Sequence, residues 1–227
     1  MSLIIDQLIR SKRKTITILV QRDGKVIVRA PLRTSERVIN TFVDSKISWI
    51  KEKKLLASQQ PTATARQFID GEKFLLLGKS INLHVVDDPL HHTALTLETD
   101  FLLSPQYQKQ ALPVFVKWYK IRAAQVLTER VKLYATQFGL GYKKIRITSA
   151  RTRWGSCSST DTLSFTWRLV MAPLEVVDYV VIHELAHLKI KNHSAVFWAE
   201  VRQMMTTFQS KRDWLKKNGH LLTLDGD

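Results

Sequence analysis

The run Val176–Leu188 contains Val176, Val177, Tyr179, Val180, Val181, Ile182, Leu185, Ala186 and Leu188, so as a helix it is apolar on nearly every side. A helix of that kind has to be buried. Yet the same run carries His183, Glu184 and His187. Ionisable groups in a core are costly unless they are hydrogen-bonded, paired or bound to a metal. Residues four apart share a helix face, so His183 and His187 offer two imidazoles to one point. Two such imidazoles can hold a single Zn²⁺, and the glutamate beside the first can act as general base to a metal-activated water. His193 follows at the spacing of a third ligand, giving H-E-x-x-H-x5-H.

The flanks fit a helix. Ala172-Pro173 is a good entrance, because proline is tolerated in the first turn. Glu175 then falls where negative charge is favoured. Asn192 can adopt the left-handed conformation that ends helices, which predicts a stop just before His193 and a return of the chain toward the metal. Glu200 is the rival third ligand. It shares the apolar side of its helix with Phe197, Val201 and Met204, an unusual place for a carboxylate. It is otherwise a partner that orients a ligand histidine, or a charge at the edge of a packed face.

Cys157 is the single cysteine, so no intrachain disulfide can form. A reducing, cytoplasmic setting is the expectation. The metal site must then use histidine and carboxylate. Cys157 itself reads as a small buried hydrophobe. No apolar run reaches transmembrane length, and Met1–Asp6 lacks the layout of a secretory signal.

Lys and Arg number 35 against 20 Asp and Glu, for a net charge of +15 and an isoelectric point near 10.0. Such a field favours nucleic acid, anionic surfaces or acidic proteins. The basic clusters at Arg10–Lys14, Lys51–Lys54 and Lys211–Lys217 each read singly as solvated faces. None of the common nucleic-acid-binding signatures is present, so nucleic acid is a candidate partner on charge alone.

The pattern predicts an α+β chain. Strands are expected over Lys14–Val20 and Lys25–Ala30, joined by the Asp23-Gly24 turn. One helix is expected from Ser35 to about Leu56 and a linker over Ser58–Ala65. Short strands follow at Gln67–Ile69, Phe74–Leu77, Ile81–Val86, Ala94–Leu97 and Phe101–Leu103. A long helix over Lys109–Phe138, bent near Pro113, leads to a strand at Lys144–Thr148. Then come a polar loop at Arg151–Ser159 and a strand at Thr162–Leu169 that leads into the histidine helix. Helices over Ser194–Thr207 and Ser210–Asn218 end the chain. The expected division is a β-rich N-terminal domain over 1–104, with one helix, and a mainly helical domain with a small sheet over 105–227.

Arg153-Trp-Gly-Ser-Cys157, Leu163-Ser-Phe-Thr-Trp-Arg168, Met171-Ala-Pro, His183-Glu-Leu-Ala-His-Leu188, Asn192-His193 with Phe197-Trp198, and Asn218-Gly-His-Leu-Leu222 together resemble the YgjP-like metallopeptidase family. The stretch Arg10-Ser-Lys-Arg-Lys-Thr, Asp70-Gly-Glu and Leu77-Gly-Lys are also similar to it, so the resemblance covers almost the whole chain. It implies a zincin-type fold, a Zn²⁺ cofactor on His183, His187 and His193, and Glu184 as catalytic base. It also implies kinship with SprT-like proteases, which act on protein bound to DNA. Metzincins share the third-histidine spacing but carry glycine where this chain has Ile190. Met204 and Met205 fall in a helical pattern with Phe197, Val201 and Phe208 and read as core.

The expected activity is therefore zinc-dependent peptide-bond hydrolysis on a protein or peptide substrate, without a membrane. Arg153, Arg168, His220 and Tyr179 are candidates to hold substrate or donate to an oxyanion, the two arginines being otherwise ordinary charges. Trp154 and Trp198 are expected to wall the site. Thr162–Leu169 is the expected sheet edge for pairing with an extended peptide. The competing reading is a nucleic-acid-associated factor with a structural or weakly hydrolytic zinc site. Glu184 speaks against it, since a structural site needs no base.

Overall fold

The computed structural model describes residues 4–21, 23–59, 66–87 and 93–224. The chain forms two compact units, Met1–Thr64 and Ala65–Gly226. The expected linker at Ser58–Ala65 lies mostly outside the described residues, apart from Ser58 and Gln59 at the end of a helix.

In the first unit, β1 (Gln7–Ser11), β2 (Thr17–Val20) and β3 (Val26–Pro31) form a sheet of order β1-β3-β2. Gly24 makes the β2–β3 turn at φ +80°, a conformation glycine reaches without strain. Val26, Val28 and Ala30 alternate inward against Ile39, Val43 and Ile50 of α1 (Glu36–Asp44) and α2 (Ile47–Gln59). The single helix expected from Ser35 is thus two. Ser45 ends the first, its hydroxyl donating to the Phe42 carbonyl, the competition with the backbone that makes serine a weak helix interior residue. Strand β1 falls where the sequence shows mainly a basic cluster.

The second unit begins with β4 (Lys73–Leu76), β5 (Lys79–Val85), β6 (Leu95–Leu97) and β7 (Phe101–Leu103), in the order β4-β5-β7-β6. Gln67–Ile69 is not a strand, since Phe68 sits at φ +54° and its amide donates to Glu72. The sheet packs on α3 (Ala111–Gln137), with the Phe74 and Phe115 rings stacked at 4.5 Å and Phe101 and Phe115 at 5.2 Å. This shared aromatic core puts β4–β7 in the same unit as α3, so the division falls at 64/65 and not at 104/105. Pro113 lies in the first turn of α3, where amides have no helical partner, and the helix continues unbroken past it.

A second sheet of β8 (Lys144–Thr148), β9 (Gly155–Cys157) and β10 (Thr162–Thr166) follows, in the order β8-β10-β9. Strand β10 is central, parallel to β8 and antiparallel to β9. The expectation that it is the free edge is therefore overturned: β9, inside the expected polar loop, is an edge. Strand β10 also ends at Thr166, where a 3₁₀ turn over Trp167–Met171 carries the chain into α4 (Leu174–Lys189). Helices α5 (Ala195–Met204) and α6 (Phe208–Asn218) complete the unit.

Helix α4 is fixed at several points. The Leu77 and Gly78 amides donate to the Val170 and Met171 carbonyls just before it. Gly78 lies so close that a Cβ there would sit 2.9 Å from Pro173 Cα. From α3, Arg130 makes a two-pronged ion pair with Asp178, at 2.6 Å and 2.8 Å. Asp178 is buried and Arg130 only partly exposed. Removing one member of such a pair strands the other away from water. Asp178→Ala is expected to lower the stability of the chain by about 3 kcal/mol in urea unfolding. An unchanged urea midpoint would show that the pair does not brace α4.

Candidate metal centre

Val177, Val181, Leu185 and Ala186 of α4 are fully buried, which fixes the rotation of the helix and turns His183, Glu184 and His187 toward one side of the core. The helix stops at Lys189, sooner than Asn192 suggested, because Ile190 is extended at φ −130°. Asn192 instead caps the next turn, accepting from the Ser194 amide at 3.1 Å. The return is short enough to bring His193 onto the other two imidazoles. Nε2 of His193 lies 3.1 Å from Nε2 of His183 and 3.2 Å from Nε2 of His187.

Nδ1 of His187 donates to the Ile190 carbonyl at 2.9 Å. This leaves its Nε2 as a lone-pair donor and orients the ring, the usual second bond of a metal-bound histidine. Phe197 packs beneath all three rings, at 4.4 Å from His187 and 4.9 Å from His183 and His193. Burial, and then the neighbouring imidazoles, push the pKa of His183 down to about 3. Burial also lowers that of His187. Both therefore stay neutral, the form that ligates metal. Two nitrogens each about 2 Å from one tetrahedral cation lie roughly 3.3 Å apart, so the observed spacings fit a common zinc ion. Among the described residues, these three histidines form the one cluster able to hold a metal.

Glu184 is 5% exposed, and burial pushes its pKa up to about 8, with the Arg153 charge opposing the rise. The carboxyl lies against Gly155 of β9. A Cβ at Gly155 would come within 2.5 Å of its Oε1, so only glycine leaves room for it. Gly219 is similarly closed down on the Trp154 ring, at 2.8 Å from a built Cβ. Sequence reasoning missed the role of Gly155, although it lies in the quoted Arg153–Cys157 motif.

The other candidates separate. Glu200 pairs with Lys189 at 2.7 Å and is not part of the histidine cluster. Arg153 is exposed, beside Glu184 electrostatically. Arg168 is buried, stacked 4.4 Å over Trp167 and donating to the Ser149 carbonyl, so it braces the chain after β8. His220 lies half-buried in the turn after α6, next to Gly219. Cys157 is half-buried beside Lys191, and burial raises its pKa, which disfavours a thiolate ligand. Met204 and Met205 pack against the core.

A cleft of about 330 Å³ opens on His183 and Glu184, with Trp154 and Tyr179 among its walls. Trp198 stands 5.7 Å and 5.8 Å from the His183 and His193 rings. Arg212 and Lys216 of α6 also line the cleft. The sequence shows them only as part of the Lys211–Lys217 cluster.

No curated protein matches the chain. Two solved structures are similar to part of it. The metallopeptidase zymogen abylysin of Pyrococcus abyssi is 23% identical over 40% of this chain and 93% of its own, with a TM-score of 0.36. The metallopeptidase zymogen jannalysin of Methanocaldococcus jannaschii is 26% identical over 42% of this chain and 96% of its own, also with a TM-score of 0.36. The family model described as YgjP-like, metallopeptidase domain, matches residues 14–218. That match spans most of the sequence and includes the three histidines and Glu184, and the chain accordingly belongs to the YgjP-like family of zinc metallopeptidases.

Proposed function

We propose that this protein hydrolyses peptide bonds in the cytosol, with His183, His187 and His193 as zinc ligands and Glu184 as the proton-transfer group. The observation that carries this is the convergence of three imidazole Nε2 atoms beside a buried carboxyl in an open cleft. A zinc ion there supplies Lewis acidity and lowers the pKa of water toward neutrality. Glu184 accepts a proton from the attacking water and returns it to the leaving amine. Burial raises the pKa of that carboxyl and the Arg153 charge opposes the rise, and a proton-transfer group works best with a pKa close to the working pH. Strand β9 runs past Glu184 with one strand neighbour among the described residues. An extended peptide adding to that edge would be drawn across the carboxyl. Tyr179 lines the cleft, and burial keeps its hydroxyl protonated as a donor to a developing oxyanion.

A nucleic-acid contact is the second reading, and the surface of the first unit favours it. Lys12, Lys14, Arg29, Arg33, Arg37, Lys46 and Lys51 are all exposed there, against the five exposed acids Asp6, Asp23, Glu36, Asp44 and Glu52. Among the described residues, no helix is long and apolar enough to cross a membrane.

Purified protein should carry about one zinc ion per chain. His183→Ala or His187→Ala should remove it. His193→Ala should weaken zinc affinity far more than Glu200→Gln, as read by chelator competition. The reverse ranking would make Glu200 the ligand.

Glu184→Gln should keep zinc and fold while peptide hydrolysis falls by at least about a hundredfold. Proteome digestion by the wild-type and Glu184→Gln proteins, followed by sequencing of new termini, measures this directly. New termini at equal yield with both proteins would remove Glu184 from catalysis.

Filter binding at several salt concentrations tests the second reading. Counterion release requires affinity to fall steeply with salt. Salt-independent binding, or none at low salt, would exclude nucleic acid.

A further inference from the structure

The cleft beside Glu184 extends onto α6. Arg212, Leu215 and Lys216 lie on one face of that helix, at spacings of three and four. Leu215 is buried and anchors the face, while Arg212 and Lys216 are exposed and line the cleft together with His183 and Glu184. The Arg212 guanidinium rests 4.6 Å over the Trp198 ring. Such stacking holds the planar group in place and leaves its edge free to donate.

Several other cations of this unit are committed elsewhere, while Arg153 stands on the Glu184 side of the site. Lys189 pairs with Glu200, Lys191 with Asp161, Arg130 with Asp178 and Lys211 with Glu175. Arg212 and Lys216 have no ion-pair partner among the described residues. Asp213, the one acid of α6, is held by the Gln209 side chain at 3.1 Å. Among the described residues, the only acid on the cleft wall is Glu184, which lies buried against Gly155. Like charges four apart on a helix repel and weaken it. Two unpaired cations in that arrangement, on the wall of a cleft that opens on His183 and Glu184, favour an anion there.

We propose that this cleft binds a substrate carboxylate adjacent to the scissile bond, with Arg212 as its two-pronged partner and Lys216 as the second cation. The proposal rests on the reading of the site as a peptidase and makes it selective for an acidic peptide. The carboxylate belongs either to an Asp or Glu side chain or to the peptide C-terminus. Arg212 matches a carboxylate geometrically, with parallel N–H donors.

Equilibrium binding separates these. The zinc-loaded Glu184→Gln protein is titrated with fluorescent peptides in matched sets: Glu against Gln at each position, and free acid against C-terminal amide. One charged partner changes affinity by about tenfold or more, so the acidic member should bind at least that much tighter. The added substitutions Arg212→Gln and Lys216→Gln should erase the difference, so that the acidic and neutral peptides bind the substituted protein equally. Arg212→Lys should restore part of it. Preference for Glu over Gln identifies a side-chain site, and preference for acid over amide a terminal one. Equal affinities, a preference that survives the double substitution, or no peptide binding would overturn the proposal. Binding with the expected preference, but no cleavage of the same peptides by the wild-type protein, would instead overturn the peptidase reading.

Discussion

The burial of α4 is the constraint on which the rest depends. The helix is core and site at once: Val177, Val181, Leu185 and Ala186 pack on all that surrounds it, while His183, Glu184 and His187 are the groups proposed for the chemistry. A ligand set held within fractions of an ångström needs a frame that cannot rotate. Here the frame has three ties. Arg130 of α3 grips Asp178, the Leu77-Gly78 turn bonds to the chain just before the helix, and β9 lies against Glu184 with no side chain between. Each tie comes from a different part of the second unit, so the position of the histidines is a property of the whole unit.

The same burial sets the electrostatics. Imidazoles taken from water become harder to protonate, and a carboxyl taken from water becomes harder to ionise. His183 moves down and Glu184 moves up, in both cases chiefly from desolvation. The consequence is a centre poor in fixed charge, in which interactions with an incoming cation or with substrate are little screened. Arg153 and Arg212 are exceptions: the first favours the ionised form of Glu184, and the second opposes protonation of His183.

The histidine motif was legible because its geometry is local. An i, i+4 pair in an apolar run defines a face without any knowledge of the fold, and a five-residue return to His193 leaves few paths. The β2–β3 hairpin was legible from Asp23-Gly24. Strand β9 was not, because three residues of Gly-Ser-Cys carry no alternation, and what identifies Gly155 is an absent side chain beside a residue 29 positions on. The division of the chain was misplaced for a similar reason. Phe74, Phe101 and Phe115 meet only in three dimensions, and nothing near 104/105 reveals that the strands before it share a core with the helix after it. The break at Ser45 is a local competition between a hydroxyl and the helix backbone that hydrophobic spacing does not register.

The choice between His193 and Glu200 shows how a distant partner bears on an ambiguity that spacing leaves open. Glu200 lies on the side of α5 that carries Phe197 and Val201, and its half-burial demands a counter-charge. Lys189, in the last turn of α4, provides one at 2.7 Å. The carboxylate is then occupied, and a lysine near a helix C-terminus is itself favourably placed. His193, by contrast, has its Nε2 facing two other nitrogens. Three neutral ligands leave a divalent cation with its full charge, whereas a carboxylate ligand would cancel part of it. A site of that composition keeps more of the metal's power to polarise a carbonyl, and it makes the cleft that opens from it more positive. The unpaired Arg212 and Lys216 on α6 add to the same field, so the proposed ligand set and the cleft wall would bias a substrate in one direction.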